Sequence, residues 1–302
     1  MKLSSLFALA PAAAGLAVAL LLSNILESIP IAYARADLGT LALLTGLVFS
    51  IHAGALYYFS ERESRQKARL EEIIQNQAAD ERRRFLRRLD HELKNPLTAI
   101  RAGLVNLSES PTEDARREAV WSVEAQALRL SRLAADLRKL AELEIRQLER
   151  SPVDLSLVLH EAYSLAQDQA ESENRQLVLS IPQAPWPLPK VSGDQDLLFL
   201  ALHNLLDNAM KFTGPGDTIE IRAFEDGSHV VVEVADTGPG IPDEDMPHVW
   251  EELYRGMGAR GIPGSGLGLA LVRAIAERHN GQVNLRSRSG QGTVFSLKLP
   301  LG

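Results

Sequence analysis

The chain contains no cysteine, which excludes disulfide staples, thiolate catalysis, thiol redox sensing and cysteine-ligated zinc or iron–sulfur centres. It also lacks an excess of positive charge. With a net charge of −7 over 302 residues, the molecule as a whole offers no nucleic-acid-binding surface, although local basic patches remain open. Disordered or fibrous composition is absent too, since 45% of the residues are hydrophobic and 24% charged. That is material for about two folded units, above the size at which a core becomes self-sufficient.

What is present is unevenly spread. Residues 6 to 22 carry no charge and reach roughly 25 Å as a helix, and Leu3, Ile25 and Leu26 extend them towards bilayer thickness. Residues 38 to 59 are uncharged apart from His52 and span roughly 33 Å. Two transmembrane helices are therefore expected within residues 1 to 60. A cleaved secretory signal competes for the first, because Lys2 precedes it and Ala34-Arg35-Ala36 mimics a cleavage site, but its apolar stretch is long for a signal core. The intervening loop, about residues 24 to 37, has Arg35 as its only basic residue, whereas Arg62, Arg65, Lys67 and Arg69 follow the second span. This asymmetry puts both termini in the cytoplasm. The loop is too short to fold as a domain, so an outside stimulus has to be read by the loop, the bilayer or a membrane sensor partner. Ala42, Gly46, Ser50 and Gly54 recur every four residues as a ridge permitting close helix approach.

From Glu61 to Glu109 nothing breaks a helix except Pro96, and Leu70, Ile73, Ile74, Phe85, Leu86, Leu89, Leu93 and Leu97 supply a broken apolar stripe. Ser108 to Pro111 reads as a turn, and a second helix is expected over about 112 to 148, with Val120, Val123, Ala127, Leu130, Leu133, Leu137 and Leu140 on its stripe. Neither helix buries its stripe in a lone hairpin, so two copies forming a four-helix bundle are the simplest solution. The first helix carries His91-Glu-Leu-Lys-Asn-Pro-Leu-Thr98. Glu92 sits beside His91, Asn95 returns to its face one turn on, and Pro96 is expected to bend or loosen the helix there. An exposed imidazole with an adjacent carboxylate has the makings of a nucleophile and its base. Arg82, Arg83, Arg84, Arg87 and Arg88 precede it as a solvated face, or as an attractant for an acidic partner or for phosphates.

After Ser151-Pro152 the pattern changes to an α/β layer domain over 151–302. Strands are expected near 176–181, 218–224, 229–235, 282–287 and 293–299, with helices near 156–171, 194–212 and 267–279. The proline-rich stretch from Pro182 to Pro189 reads as a rigid connector. Asn204 and Asn208 lie four apart on one helix with Lys211 completing the turn; carboxamide oxygens can hold Mg²⁺ and an ammonium can meet phosphate. Asp236-Thr-Gly238-Pro-Gly240 ends a strand with a carboxylate able to accept from an exocyclic amine, followed by glycines allowing close backbone approach. Gly264-Ser-Gly266-Leu267-Gly268-Leu269 opens a helix whose free amides form an anion site. Together these describe a nucleotide site.

In this order the segments resemble those of the membrane sensor histidine kinases of bacterial two-component systems, over about residues 80 to 302. The octapeptide resembles their phosphoacceptor box, Asn204 to Phe212 their asparagine box, and the two glycine segments their glycine boxes. Trp250-Glu-Glu-Leu-Tyr254-Arg255-Gly resembles their phenylalanine box with Trp at the aromatic position, and Gly290-Gln-Gly-Thr293 their final glycine segment. The resemblance implies an α plus α/β architecture. Two transmembrane helices lead into a linker helix and dimeric histidine-phosphotransfer hairpin over 61–150, and an ATP-binding sandwich of the Bergerat type follows.

The same resemblance implies that His91 attacks the γ-phosphate of ATP while Glu92 orients the ring and takes its proton. Mg²⁺ would lie at Asn204 or Asn208. Lys211, Phe212, Asp236, Gly238, Gly240, Tyr254, Arg255, Gly264, Gly266, Leu267, Gly268, Leu269 and Thr293 would bind the nucleotide under a mobile lid from Tyr254 to Ser265 bordered by Arg255 and Arg260. With the last strand so near Gly302, the phosphoryl group is expected to pass to the receiver domain of a separate response regulator. Asn95 stands where relatives orient water against the phosphoaspartate, implying a second, phosphatase activity. The expected setting is the inner (plasma) membrane, with a homodimer and no nucleic-acid partner. The competing readings are a catalytically degenerate membrane scaffold and another ATPase or chaperone of the same nucleotide fold.

Overall fold

A computed structural model describes residues 38–109, 112–181, 187–259 and 261–301, with side chains from residue 45 onward except those of Glu109 and Glu144. The chain divides into two units, Met1–Gln77 and Ala78–Gly302. The first expected span and the loop after it lie outside the described residues, as do most of the proline-rich connector and Arg260. Among the described residues no helix is long and apolar enough to cross a membrane; of the expected second span, side chains are described only from Thr45. In this first unit Leu47, Phe49, Ile51, Leu56 and Tyr57 stand exposed.

Helix α1 runs Leu38–Glu109 and helix α2 Glu113–Ile145. The α1 assignment continues through Pro96, which is buried, so the expected loosening does not interrupt the helix. Thr112 caps α2 by accepting from the Ala115 amide at 3.4 Å, and Glu113 and Asp114 sit in its first turn, where the helix dipole favours negative charge. The two helices pack as a hairpin: a Cβ on Gly103 would meet Val123 at 2.6 Å.

The α/β domain follows. Strand β1 (Ser151–Val153) precedes helix α3 (Leu155–Ser172), strand β2 (Gln176–Ser180), strand β3 (Val191–Gly193) and helix α4 (Gln195–Phe212). Strands β4 (Thr218–Asp226) and β5 (His229–Asp236) lead through a long segment to helix α5 (Gly268–Arg278), strand β6 (Gln282–Arg288) and strand β7 (Gly292–Pro300). The main sheet is mixed, in the order β2-β4-β5-β7-β6, with β2 parallel to β4 and the other pairs antiparallel. Alternation along β4 and β7 places Ile219, Ile221, Phe295, Leu297 and Leu299 on a face covered by α3, α4 and α5, whose Leu159, Leu198, Leu202, Leu205, Leu271 and Ile275 complete the core. On the sheet Glu233 is buried between Arg286 at 2.7 Å and Arg222 at 3.0 Å.

Strands β1 and β3 are additions to the sequence reading. They pair antiparallel with each other and leave the main sheet. Beside them Asp194 ties three elements together. It caps α4 by accepting from the Leu197 amide at 3.2 Å, its own amide donates to His279 Nε2 at 2.9 Å, and Arg146, at the end of α2, pairs with it at 3.3 Å. Arg278 donates to the Arg146 carbonyl, and Arg150 to that of Arg278 at 3.1 Å.

Candidate active site

A cleft of about 660 Å³ opens between the hairpin and the segment after β5, lined by Arg87, Arg88, His91, Glu92 and Asn95 on one side and Leu253 to Gly256, Ala259 and Gly261 on the other. Helical spacing decides which partner reaches the imidazole. Neighbours on a helix point about 100° apart, whereas residues four apart share a face. Accordingly Asn95 Nδ2 lies 3.2 Å from His91 Nδ1, while Glu92 turns to Arg129 of α2 at 2.7 Å. The carboxylate expected on the ring is thus engaged elsewhere in this arrangement. Attack through Nε2 needs the ring proton on Nδ1, and a half-turn of the Asn95 carboxamide, or release of Glu92 from Arg129, supplies the acceptor.

The segments expected to bind a nucleotide converge on α4. Asn204 Nδ2 donates to the Leu200 carbonyl at 2.8 Å, which turns its oxygen towards the loop: a Cβ on Gly268 would stand 2.9 Å from Oδ1. Lys211 is held by Asp207 at 2.5 Å and lies beside Gly264, where a Cβ would be 3.9 Å from its ammonium. The first glycine segment crosses the end of the same helix, since a Cβ on Gly238 would come within 2.6 Å of the Phe212 carbonyl. Asp236, at the end of β5, accepts from the Gly238 amide at 2.9 Å and faces Thr293 across the ladder. Burial raises its carboxyl above the ordinary value, against the Gly238 and Thr293 amides, with Asp217 adding to the rise. The close approach depends on Gly292, whose φ of 97° and lack of a side chain let it pass where a Cβ would lie 1.9 Å from the Asp236 carbonyl oxygen. Gly240, Asn208 and Leu269 lie on these same segments, but Leu267 is fully buried against Leu133 and Leu253, leaving only its backbone for a ligand.

The segment from Glu251 to Leu267 is pinned to the hairpin. Arg88 pairs with Glu251, donates to the Glu252 carbonyl at 3.1 Å and lies 5.3 Å from the centre of the Tyr254 ring. Burial alone would raise Glu251, yet hydrogen bonds from His248 and Arg88 outweigh it and hold the carboxyl below its ordinary value. Ser265 donates to Asp136 of α2 at 2.6 Å, and Phe85, Leu89 and Leu137 pack around Leu133, Leu253 and Leu267. Arg255 donates to the Ala259 and Ile262 carbonyls at 2.6 and 2.5 Å, so here it braces its own loop. Sequence reasoning missed Arg129, Asp136 and Asp245. Each acts through a partner far off in the chain or in an irregular loop, and none carries a local signal.

Comparison with known proteins gives this arrangement a class. Residues 81–145 match the His Kinase A (phospho-acceptor) domain, and residues 193–302 the histidine kinase-, DNA gyrase B-, and HSP90-like ATPase domain. The chain belongs to the sensor histidine kinases. The probable sensor histidine kinase TcrY of Mycobacterium tuberculosis is 38% identical over 224 residues, which are 72% of this chain and 46% of that protein. The signal transduction histidine-protein kinase/phosphatase MprB of Mycolicibacterium paratuberculosis is 35% identical over 222 residues, 70% of this chain and 41% of that one. The chain spans a little under half the length of these curated relatives. Among solved structures, full-length ShkA in complex with AMPPNP superposes with a TM-score of 0.52 at 29% identity, over 70% of this chain and 44% of that one.

Proposed function

We propose that this protein is an ATP-dependent protein-histidine kinase of a two-component system. The observation that carries the reading is the cleft that sets His91, Glu92 and Asn95 against the segment between the two glycine boxes. His91 Nε2 attacks the γ-phosphorus of ATP; an N–P bond forms, the bond to the β–γ bridging oxygen breaks, and ADP leaves. The proton on Nδ1 passes to Glu92 once that carboxylate has left Arg129. Transfer through a loose transition state needs chiefly alignment and charge neutralisation, which Lys211 and the amides of residues 264 to 269 provide, while Asp236 receives the adenine amino group. The freely turned oxygen of Asn204 and the carboxamide of Asn208 suit Mg²⁺, which when bound offsets phosphate charge.

The phosphoryl group then passes to an aspartate on the receiver domain of a response regulator. Asn95 orients water for the reverse task of dephosphorylating that aspartate, a reading supported by the kinase/phosphatase relative MprB. The working form is a homodimer in the inner membrane with both termini cytoplasmic, in keeping with the exposed apolar side chains from Leu47 to Phe59. Labelling of the full chain with γ-labelled ATP and Mg²⁺ should yield an acid-labile phosphoramidate that His91→Gln abolishes. Label persisting in that variant would remove His91 as the acceptor. Asn95→Ala should keep the label but slow phosphate loss from the regulator.

A further inference from the structure

Between the first glycine segment and the aromatic box, Asp245 is a buried carboxylate with 8% of its surface exposed. Burying a charge is costly unless hydrogen bonds compensate, and no ion pair reaches this one from a described cation. It is held in place from both sides. Its amide donates to the Pro242 carbonyl at 2.9 Å and its carbonyl accepts from His248 at 2.9 Å. Its Oδ1 accepts from the Tyr254 hydroxyl at 2.6 Å. The chain then passes directly over the carboxylate at Gly256, where a Cβ would stand 2.2 Å from Oδ2.

From Tyr254 the contacts continue to the hairpin. The ring has the Arg88 guanidinium 5.3 Å from its centre and the His248 ring 5.4 Å away. Arg88 lies three and four residues before His91 and Glu92 on α1, one turn back on the same side. Tyr254, which bonds Asp245, and Gly256, which passes over its carboxylate, also line the cleft opposite His91, with Arg255 between them. We propose that Asp245 is a positioning residue for phosphoryl transfer: through the Tyr254 hydroxyl it fixes the wall opposite His91 and the ring on which Arg88 rests. The inference depends on the kinase reading above. It assigns Tyr254 a bracing role, since its hydroxyl is spent on Asp245. The hydrogen bond to Asp245, with burial, pushes the Tyr254 phenol up to about 12, so it remains a donor throughout the working range.

The test is single-turnover labelling of the full chain in detergent micelles at varied ATP, with binding of a fluorescent ATP analogue and thermal melting measured alongside. Tyr254→Phe removes one oxygen without changing shape and should lower the labelling rate at saturating ATP by about tenfold, the scale of a small misalignment, with analogue affinity and melting within twofold and 2 °C, roughly, of wild type. Asp245→Ala should give the same loss. Their double variant should be no slower than either single variant, because both break one contact. Asp245→Asn should restore most of the rate, since a carboxamide oxygen still accepts from the phenol. A double variant slowed by the product of the two losses, a rate unrestored by Asp245→Asn, or a defect confined to ATP affinity would each overturn the proposal. Absence of label in wild type would instead defeat the kinase reading.

Discussion

In the α/β domain Leu198, Leu202, Ile219, Ile221, Leu271, Ile275 and Leu297 are sealed from solvent, whereas in the hairpin Ala119, Leu133 and Leu143 are the hydrophobic residues buried among those described. Leu93, Leu97, Leu104, Val105, Val120, Trp121 and Leu128 remain exposed along it. One region finishes its own core, and the other presents a stripe that one copy of the chain leaves uncovered. The contrast teaches that the domain draws its stability from layers folded on themselves, whereas the hairpin keeps apolar surface that the proposed homodimer would cover. The seam between them combines polar contacts, Ser265 on Asp136 and Arg88 on Glu251, with an apolar cluster of Phe85, Leu89, Leu133, Leu137, Leu253 and Leu267.

The largest expected effect is on association. Leu128→Glu puts a charge into the exposed stripe and should convert a dimer to monomers in light scattering, leaving melting of the α/β domain unchanged; an unaltered mass would place the dimer contact elsewhere. Next comes the sealed core. Leu202→Ala should cost about 2–5 kcal/mol in denaturant unfolding, from lost transfer energy and the cavity left behind, without altering the oligomer.

A smaller, pH-dependent effect should come from His279. Its Nδ1 donates to the Ile275 carbonyl at 2.7 Å and its Nε2 accepts from the Asp194 amide, so the neutral ring fits and the charged one does not. Burial, with Arg150 and Arg278 adding to it, lowers its pKa from the ordinary 6.5, against the Ile275 carbonyl and Asp194. Since the unfolded chain takes up this proton first, the stability the ring contributes is full above about pH 6.5 and falls as the pH drops through the folded value, by at most about 1.4 kcal/mol per unit. His279→Gln should flatten that slope in unfolding curves between about pH 5 and 7. The smallest effect belongs to the partly exposed Arg129–Glu92 pair: Arg129→Ala should shift stability by only about 0.2–1 kcal/mol, while freeing the carboxylate beside His91. A measurable rise in labelling rate would show that the pair restrains the base.

Much of this fold is written in local pattern. The strands expected near 218–224, 229–235 and 293–299 lie within β4, β5 and β7, and the helix near 194–212 within one residue of α4, because period-two alternation and the Asp194 cap are short-range signals. Strands β1 and β3 were illegible for the opposite reason: three residues with Pro152 among them have no period, and only the pairing of 151–153 with 191–193 makes them strands. The site follows the same rule. The glycine and asparagine segments could be singled out as candidates by spacing, but that Glu92 faces Arg129, or that Asp136 holds Ser265, depends on which helix face meets which loop.

Asp194 gives the junction between the two regions a mechanical character. The residues from Arg146 to Arg150 would serve as a swivel if they merely joined α2 to β1, yet Arg146 and Arg150 are both bound into the ends of α4 and α5 through Asp194 and Arg278. A joint clamped at its pivot does not drift. Any displacement of the α/β layer against the hairpin would therefore have to bend α2 or break the Asp194 and Arg278 contacts.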